Sequence, residues 1–400
     1  MPLVSVVIPT RNRPECAFSL IKMLLECVQD CEVVVCDNSD RDELRILLKD
    51  KLSDKRLIYQ HKNSRLSVIE NFSRGLELAT GDYLIFMGDD DLIGPCFEET
   101  IRWVKENRID LLLPNFKGGA LQYFWPGVSS ARWKGIAGSI FFSKYTGGIE
   151  NFNPEKTSAQ ALKRLGSGPL GMPRIYLGLV SKEAVKKAQE KYGALFGGIS
   201  PDVYSSTLLS SLNLKASWID YPFVIPGVSS LSTSAARAER TDVGEFKNAG
   251  GIIADDHLKG FSNLLWDERV PDFYSPYTVW ACSHIAALKK IGKTVPISSL
   301  AHLYATCLIF APRHFKSVYG VIKNQGSFTN FMSYSGLISL MILCVISRYL
   351  LQKVKLIKNP RPGGAQFQLT NLPDSISAYK AIEAEFKHLS LRPGYYKDKK

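Results

Sequence analysis

Three consecutive aspartates, Asp89, Asp90 and Asp91, follow a short apolar run, Tyr83–Met87. Adjacent carboxylates at a strand end repel one another unless a cation or a positive ligand neutralises them. Their hard oxygens suit Mg2+ or Mn2+, which keep positions open for diphosphate oxygens. The plainer alternative is a solvated acidic turn, since charge runs are usually exposed. Two other apolar runs also end in polar groups. Val4–Ile8 leads into Pro9-Thr10-Arg11-Asn12-Arg13, and Glu32–Cys36 leads into Asp37-Asn38-Ser39-Asp40.

Such residues meet only if the intervening elements bring them to one edge. The first hundred residues alternate between β-branched runs and segments of helical period. Strands are expected at Val4–Ile8, Glu32–Cys36, Leu57–Gln60 and Tyr83–Met87. Helices are expected at Ala17–Val28, after Asp40-x-x-Glu43, and from the Ser67-x-x-Glu70 capping-box pattern to about Ala79. A βαβαβαβ order argues for a mostly parallel, Rossmann-like sheet with flanking helices, whose ligands lie beyond the carboxyl ends of the strands. Further on, Leu111–Leu113, Ile175–Val180 and Ala216–Asp220 read as strands, and Lys182–Tyr192 and Asp202–Leu212 as helices. Beyond about residue 240 the pattern is mostly helical.

The segments 4–13, 32–39 and 74–91 are similar to those of family 2 glycosyltransferases with the GT-A fold, of the kind that builds bacterial surface polysaccharides. The strong match covers about residues 3–100, and a weaker one continues to about 220. The resemblance implies an inverting enzyme moving a sugar from a nucleotide-diphosphate donor, a UDP-sugar by the same likeness, to a hydroxyl of a glycan or lipid-linked glycan. It implies that Pro9, Thr10, Arg11, Arg13, Asp37, Asn38, Asp89 and Asp90 bind the nucleotide sugar. It makes Asp89, Asp90 and Asp91 a DXD-type site for Mn2+ or Mg2+, with His257 as a candidate further ligand and a structural role for that histidine as the alternative. Gly88 stands where the usual motif has an aspartate, so the motif leaves open which of the three acids binds metal.

Inverting transfer needs a general base for the acceptor hydroxyl. In Gly197-Gly198-Ile199-Ser200-Pro201-Asp202, Asp202 holds the position at a helix start where family 2 enzymes carry an acid. The alternative is that Ser200 or Asp202 only caps the helix. Arg174 and Arg237 are candidates for diphosphate or acceptor contacts, with an ordinary surface role as the alternative. Trp125 and Trp133 are candidates for stacking on sugar rings or for core packing.

The 400 residues carry 50 Lys+Arg against 38 Asp+Glu. Of these, 14 basic and 4 acidic residues fall in 313–400, so nearly all the net charge of +12 lies there. A nucleic-acid binder would more often be basic on its main domain, and no nucleic acid is expected. The basic end suits an anionic membrane surface. The apolar core Gly336–Ile346 is short for a span, so an interfacial helix is expected over 313–358, with a spanning or a buried helix as alternatives. The chain after Lys358 is rich in Pro and Gly, and its last residues are expected to be mobile. The expected division is a transferase domain over 1–225 (a nucleotide-binding half 1–100 and an acceptor-side half 101–225), a helical extension over 226–312 closing the site, and a basic region over 313–400.

The eight cysteines contain no Cys-x-x-Cys pair, which disfavours a zinc ribbon. The N-terminus lacks the pattern of a signal peptide. Both features suit a reducing cytoplasm, and the charge suits the inner face of a bacterial membrane. Two rival readings are a nucleotidyltransferase, which would show a Gly-rich loop after the first strand where Pro9–Arg13 has none, and a non-catalytic nucleotide-binding, membrane-associated protein.

Overall fold

The computed structural model describes residues 1–64, 66–114, 121–130, 133–232, 266–324 and 328–399. The first half is built on strands β1 (Val4–Thr10), β2 (Cys31–Asp37), β3 (Leu57–His61) and β4 (Tyr83–Phe86). β1 and β2 are buried along nearly their whole length and centre on the β-branched runs Val6–Ile8 and Val33–Val35, as in a sheet with helices on both faces. Helices α1 (Pro14–Cys27), α2 (Glu43–Leu47) and α3 (Val68–Leu78) connect them. Pro14 opens α1, where its missing N–H costs nothing, and Ser67 and Glu70 close a reciprocal capping box on α3.

The remaining described strands are β5 (Leu92–Ile93), β6 (Leu111–Pro114), β7 (Gln122–Phe124), β8 (Ser139–Phe142), β9 (Ile149–Phe152), β10 (Leu179–Ser181), β11 (Ala216–Ile219), β12 (Val224–Ile225), β13 (Gly227–Val228) and β14 (Phe367–Leu369). The main sheet has the order β3-β2-β1-β4-β10-β6-β11-β9. β3, β2, β1 and β4 are parallel, as the alternation predicts. β10 is antiparallel to both β4 and β6, so the sheet is mixed. It is also shorter than expected: only Tyr176 of the segment before it makes an isolated bridge, to Phe86. The chain order reverses between β1 and β4, and that switch point opens the crevice in which ligands bind such sheets.

Between these strands lie α4 (Phe97–Glu106), α5 (Pro154–Leu162), α6 (Lys182–Tyr192) and α7 (Pro201–Ser210). A second apolar core forms around α8 (Pro276–Lys290), α9 (Ile297–Phe310) and α10 (Phe315–Asn324). The 31-residue α11 (Phe328–Lys358) lays Leu337, Ile338, Met341 and Ile342 against it.

The expected single region 313–400 divides in two. After α11 the chain turns back to the first half. β14 pairs antiparallel with β8, and α12 (Ser375–His388) packs on α1. Phe386 is fully buried among Phe142, Tyr145 and Tyr221, and Tyr395 stacks on Trp103. The Pro- and Gly-rich stretch is therefore a turn between two packed segments, and the chain beyond it forms β14 and α12.

Candidate active site

The parallel register sets Thr10 beside Asp37 at the carboxyl ends of β1 and β2. β4 ends one strand away, and the loop after it carries the three aspartates to the same edge. Thr10 Oγ1 donates to Asp89 Oδ2 at 2.6 Å. Arg13, in the bend before α1, reaches both neighbouring acids: Nη2 lies 2.8 Å from Asp89 Oδ1 and Nη1 lies 3.2 Å from Asp90 Oδ2. The predicted acidic turn is thus buried, and Arg13 is the cation that neutralises it. Burial alone would lower the Arg13 guanidinium, but Asp89 and Asp90 outweigh it and hold it above the ordinary arginine value. Burial pushes Asp89 above the usual carboxylate range, against the Arg13 charge. It does the same to Asp91, with the Asp90 charge adding to the effect.

The three acids have different surroundings. Asp91 accepts from Gly88 N at 2.7 Å and Tyr176 OH at 3.1 Å through Oδ2, and from Gly227 N at 2.8 Å through Oδ1. Both its oxygens are spent joining three segments. Asp90 Oδ2 accepts from the Ser229 amide and hydroxyl at 3.0 and 2.8 Å, and Trp125 Nε1 donates to the Asp90 carbonyl at 2.7 Å. No hydrogen bond reaches Asp90 Oδ1 or the buried Asp89 Oδ1 among the described residues. Asp89 Oδ1 has only the ion pair with Arg13. Oxygen donors on Asp89 and Asp90 fit a hard divalent cation, while both Asp91 oxygens already accept hydrogen bonds from the protein.

Gly88, the departure from the usual motif, has a steric reason. A Cβ there would lie 2.5 Å from Tyr176 OH and 2.9 Å from Asp91 Oδ2. The tyrosine hydroxyl fills the space an aspartate would need. At Gly227 a Cβ would lie 1.6 Å from the Asp90 carbonyl, so only glycine lets β13 approach the acidic loop.

The loops after β1 and β2 are laced together. Arg11 Nη2 and Asn12 Nδ2 donate to the Asp40 carboxylate at 3.0 and 2.9 Å, and Asn12 N donates to Ser39 Oγ. Asp37 is fully buried and accepts from Ser39 N at 2.8 Å and Tyr59 OH at 2.9 Å. Asp37, Asp42 and His61 offer ligand atoms within 4.8 Å of one another, but the Tyr59 hydroxyl also bonds Asp42 and ties that group together. Asn38 spends its amide on Lys62 O and Ser64 O, both at 2.7 Å, and its Oδ1 on Leu66 N at 3.0 Å. Its side chain is committed to shaping the loop. Pro9 sits within β1, beyond the last β4 pairing.

Asp202 lies in the first turn of α7. Its Oδ1 accepts from the Ser200 hydroxyl and from Val203 N, the latter at 2.9 Å, and Oδ2 has no hydrogen-bond partner among the described residues. Arg174 is half-buried: its Nε is buried without a hydrogen bond, and its charge interacts with Asp202. Burial lowers the Arg174 guanidinium from its usual value, and Asp202 partly restores it. Trp125 is buried and bonded to the acidic loop, and Trp133 packs on the main core. His257 and Arg237 lie outside the described residues. Sequence pattern did not single out Tyr176 or Ser229 because nothing local marks either one. Only the folded sheet brings them to Asp90 and Asp91.

Residues 5–147 match the family model described as glycosyl transferase family 2. Residues 5–147, about a third of the chain, thus resemble a family 2 glycosyltransferase domain. Within it lie the Thr10, Arg13, Asp37 and Asp89–Asp91 cluster. The chain is 29% identical over 94 residues to the GalNAc(5)-diNAcBac-PP-undecaprenol beta-1,3-glucosyltransferase of Campylobacter jejuni, covering 23% of this chain and 30% of that protein. It is 31% identical over 97 residues to a PGL/p-HBAD biosynthesis glycosyltransferase of Mycobacterium bovis, covering 22% of this chain and 36% of that protein. The match thus spans about a third of the length of these curated relatives. The crystal structure of S. aureus TarS 1–349 in complex with UDP-GlcNAc aligns over 96% of this chain and 91% of that one, at 16% identity and a TM-score of 0.43.

Proposed function

We propose that the protein is an inverting glycosyltransferase that moves a sugar from a nucleoside-diphosphate donor, a UDP-sugar, to a hydroxyl of a glycan or lipid-linked glycan. The observation that carries this reading is the convergence of Thr10, Arg13, Asp37, Asp89 and Asp90 at the strand-order switch of a family 2 domain. The UDP moiety is read from the family resemblance. The lipid-linked acceptor draws support from the Campylobacter relative, whose name carries a PP-undecaprenol group. With the basic segment 313–358, it supports a reaction at the inner face of a bacterial cytoplasmic membrane.

In this reading Asp37 and the laced loops after β1 and β2 receive the nucleoside, and Arg13 faces the diphosphate from beside the acidic pair. Asp90, with Asp89 behind it, holds Mn2+ or Mg2+. The bound cation supplies charge neutralisation of the leaving diphosphate. Asp91 binds no metal and instead keeps Gly88, Tyr176 and Gly227 in place. Asp202 takes the acceptor proton at Oδ2, while Ser200 and Val203 fix its orientation through Oδ1. Arg174 sets a fixed positive charge beside Asp202.

The test is incubation of the full chain with a panel of nucleotide sugars, with Mn2+ or with chelator, and chromatography of the released nucleoside diphosphate. Cation-dependent release from a UDP-sugar is expected. Absence of binding and turnover across the panel would leave a non-catalytic protein, and equal turnover in chelator would remove the metal.

A further inference from the structure

A second cluster of charge lies away from the acidic rim. A cavity of about 450 Å³ is lined by Thr157 and Gln160 of α5, Lys163 and Arg164 just after it, Trp218 of β11 and Arg348 of α11. No carboxylate pairs with Lys163, Arg164 or Arg348 among the described residues. Arg164 Nε is buried and makes no hydrogen bond. Burial, and then the charge of Arg348, lowers the Arg164 guanidinium from its ordinary value. His302 of α9 stands beside them, buried, with Nε2 3.4 Å from Arg348 Nη1 and Nδ1 3.4 Å from the Leu165 carbonyl. Burial drives its value down to about 4. It is therefore neutral near pH 7 and accepts from Arg348, adding no positive charge of its own. Two guanidinium groups and an ammonium line one cavity without an anion among the described residues. Oxyanions are the ligands that relieve such a cluster, and phosphate oxygens match the planar donor fork of arginine. Trp218 stacks on Phe152 at 4.4 Å and forms a flat apolar wall.

The helix that supplies Arg348 shows which oxyanion fits. Leu343, Ile346, Leu350, Val354 and Ile357 recur every three or four residues along α11, on the face turned away from α9, and all are exposed; Leu343 is 66% and Ile357 79% exposed. Residues 313–358 contain seven Lys and Arg and no Asp or Glu. An apolar stripe with basic flanks is the composition of a helix lying in a membrane interface. A span is disfavoured by the connections: one face of α11 packs on α9, and the chain beyond it returns to pair with β8.

We propose that Lys163, Arg164 and Arg348 form a site for the phosphate-bearing headgroup of an anionic lipid, with the outer stripe of α11 resting in the adjacent apolar layer. This deepens the lipid-linked part of the reading above, but its test does not depend on sugar transfer.

The full chain is sedimented with vesicles of phosphatidylcholine alone and of phosphatidylcholine with phosphatidylglycerol, with and without millimolar inorganic pyrophosphate. Wild type is expected to sediment with the anionic vesicles only and to be displaced by pyrophosphate. The pair Arg164→Gln and Arg348→Gln should weaken vesicle binding at least tenfold. Lys186→Gln with Lys187→Gln removes the same charge from the exposed side of α6, and should change binding less than threefold. Leu343→Ser with Leu350→Ser should weaken vesicle binding but leave stabilisation by pyrophosphate intact, which also shows that the variant is folded. The proposal fails if wild type does not sediment with anionic vesicles at low salt. It fails equally if the two control substitutions cost as much as the arginine pair, which would indicate a diffuse surface charge. Stabilisation by pyrophosphate without vesicle binding would assign the cavity to a soluble phosphate and overturn the lipid.

Discussion

The Thr10 hydroxyl donates to Asp89 at 2.6 Å, joining the end of β1 to the loop after β4 across 79 residues of chain. Both residues are buried, and the bond crosses the point where the strand order reverses. Thr10→Val keeps the shape and removes the donor, leaving Asp89 dependent on Arg13 alone. A lost hydrogen bond to a buried charged group costs about 1–3 kcal/mol. Urea unfolding should show a loss of that size. Unchanged stability would mean that the bond contributes nothing to holding the acidic loop.

Asp90 and Asp91 should part company under mutation. Asp91→Asn turns an amide NH2 toward backbone N–H donors, so one bond from Gly88 or Gly227 is lost at a cost of about 1–3 kcal/mol. Its melting temperature should still rise with Mn2+. Asp90→Asn should cost less stability and lose the rise with Mn2+. The reverse pattern in thermal scans would exchange the two roles.

Asp202→Asn keeps the acceptor at Oδ1 but removes basicity at Oδ2. Transfer should fall by ~10²-fold or more, in the range set by general-base catalysis, with donor affinity near wild type. Near-normal turnover would reduce Asp202 to an α7 cap.

His284 and His302 give the fold a titration of its own. Both are buried, and burial lowers each to about 4. Above pH 6.5 both folded and unfolded chains are neutral at these positions, and neither residue affects stability. As pH falls from about 6.5 to about 4, the unfolded chain takes up the protons first and stability declines. Each residue contributes a loss of about 3 kcal/mol at the low end, from roughly 1.4 kcal/mol per pH unit. Melting temperatures across this window should show a fall that is shallower in His284→Leu. A flat profile in wild type would contradict the burial of both rings.

The β1–β4 half was legible because short apolar runs, β-branched at the centres of β1 and β2, alternate with segments of helical period. The rim followed from that order: Thr10 and Asp37 end strands, Asp89 lies in the loop after β4, and parallel register sets them at one edge. Long-range partners were not legible. Arg13 was expected to bind ligand, but its pairing with Asp89 and Asp90 depends on how α1 enters the sheet. Tyr176 precedes a three-residue strand whose antiparallel placement no local pattern specifies. The division of labour among the three aspartates comes from Ser229, Gly227 and Tyr176, all more than 80 residues away in sequence. Phe367–Leu369 was not legible as a strand because three residues after a Pro- and Gly-rich stretch carry no local pattern. Its strand exists only because β8 offers an edge.

In the proposed function, Asp90 and Arg13 face a nucleoside diphosphate at the β1–β4 switch. Isothermal titration of UDP and GDP in Mn2+ into wild type and Asp90→Asn tests it most directly. Wild type should bind UDP, and Asp90→Asn should bind it at least tenfold more weakly in Mn2+, with the difference shrinking in chelator. Equal affinity of the two proteins in Mn2+, or binding of neither nucleotide by wild type, would contradict the account.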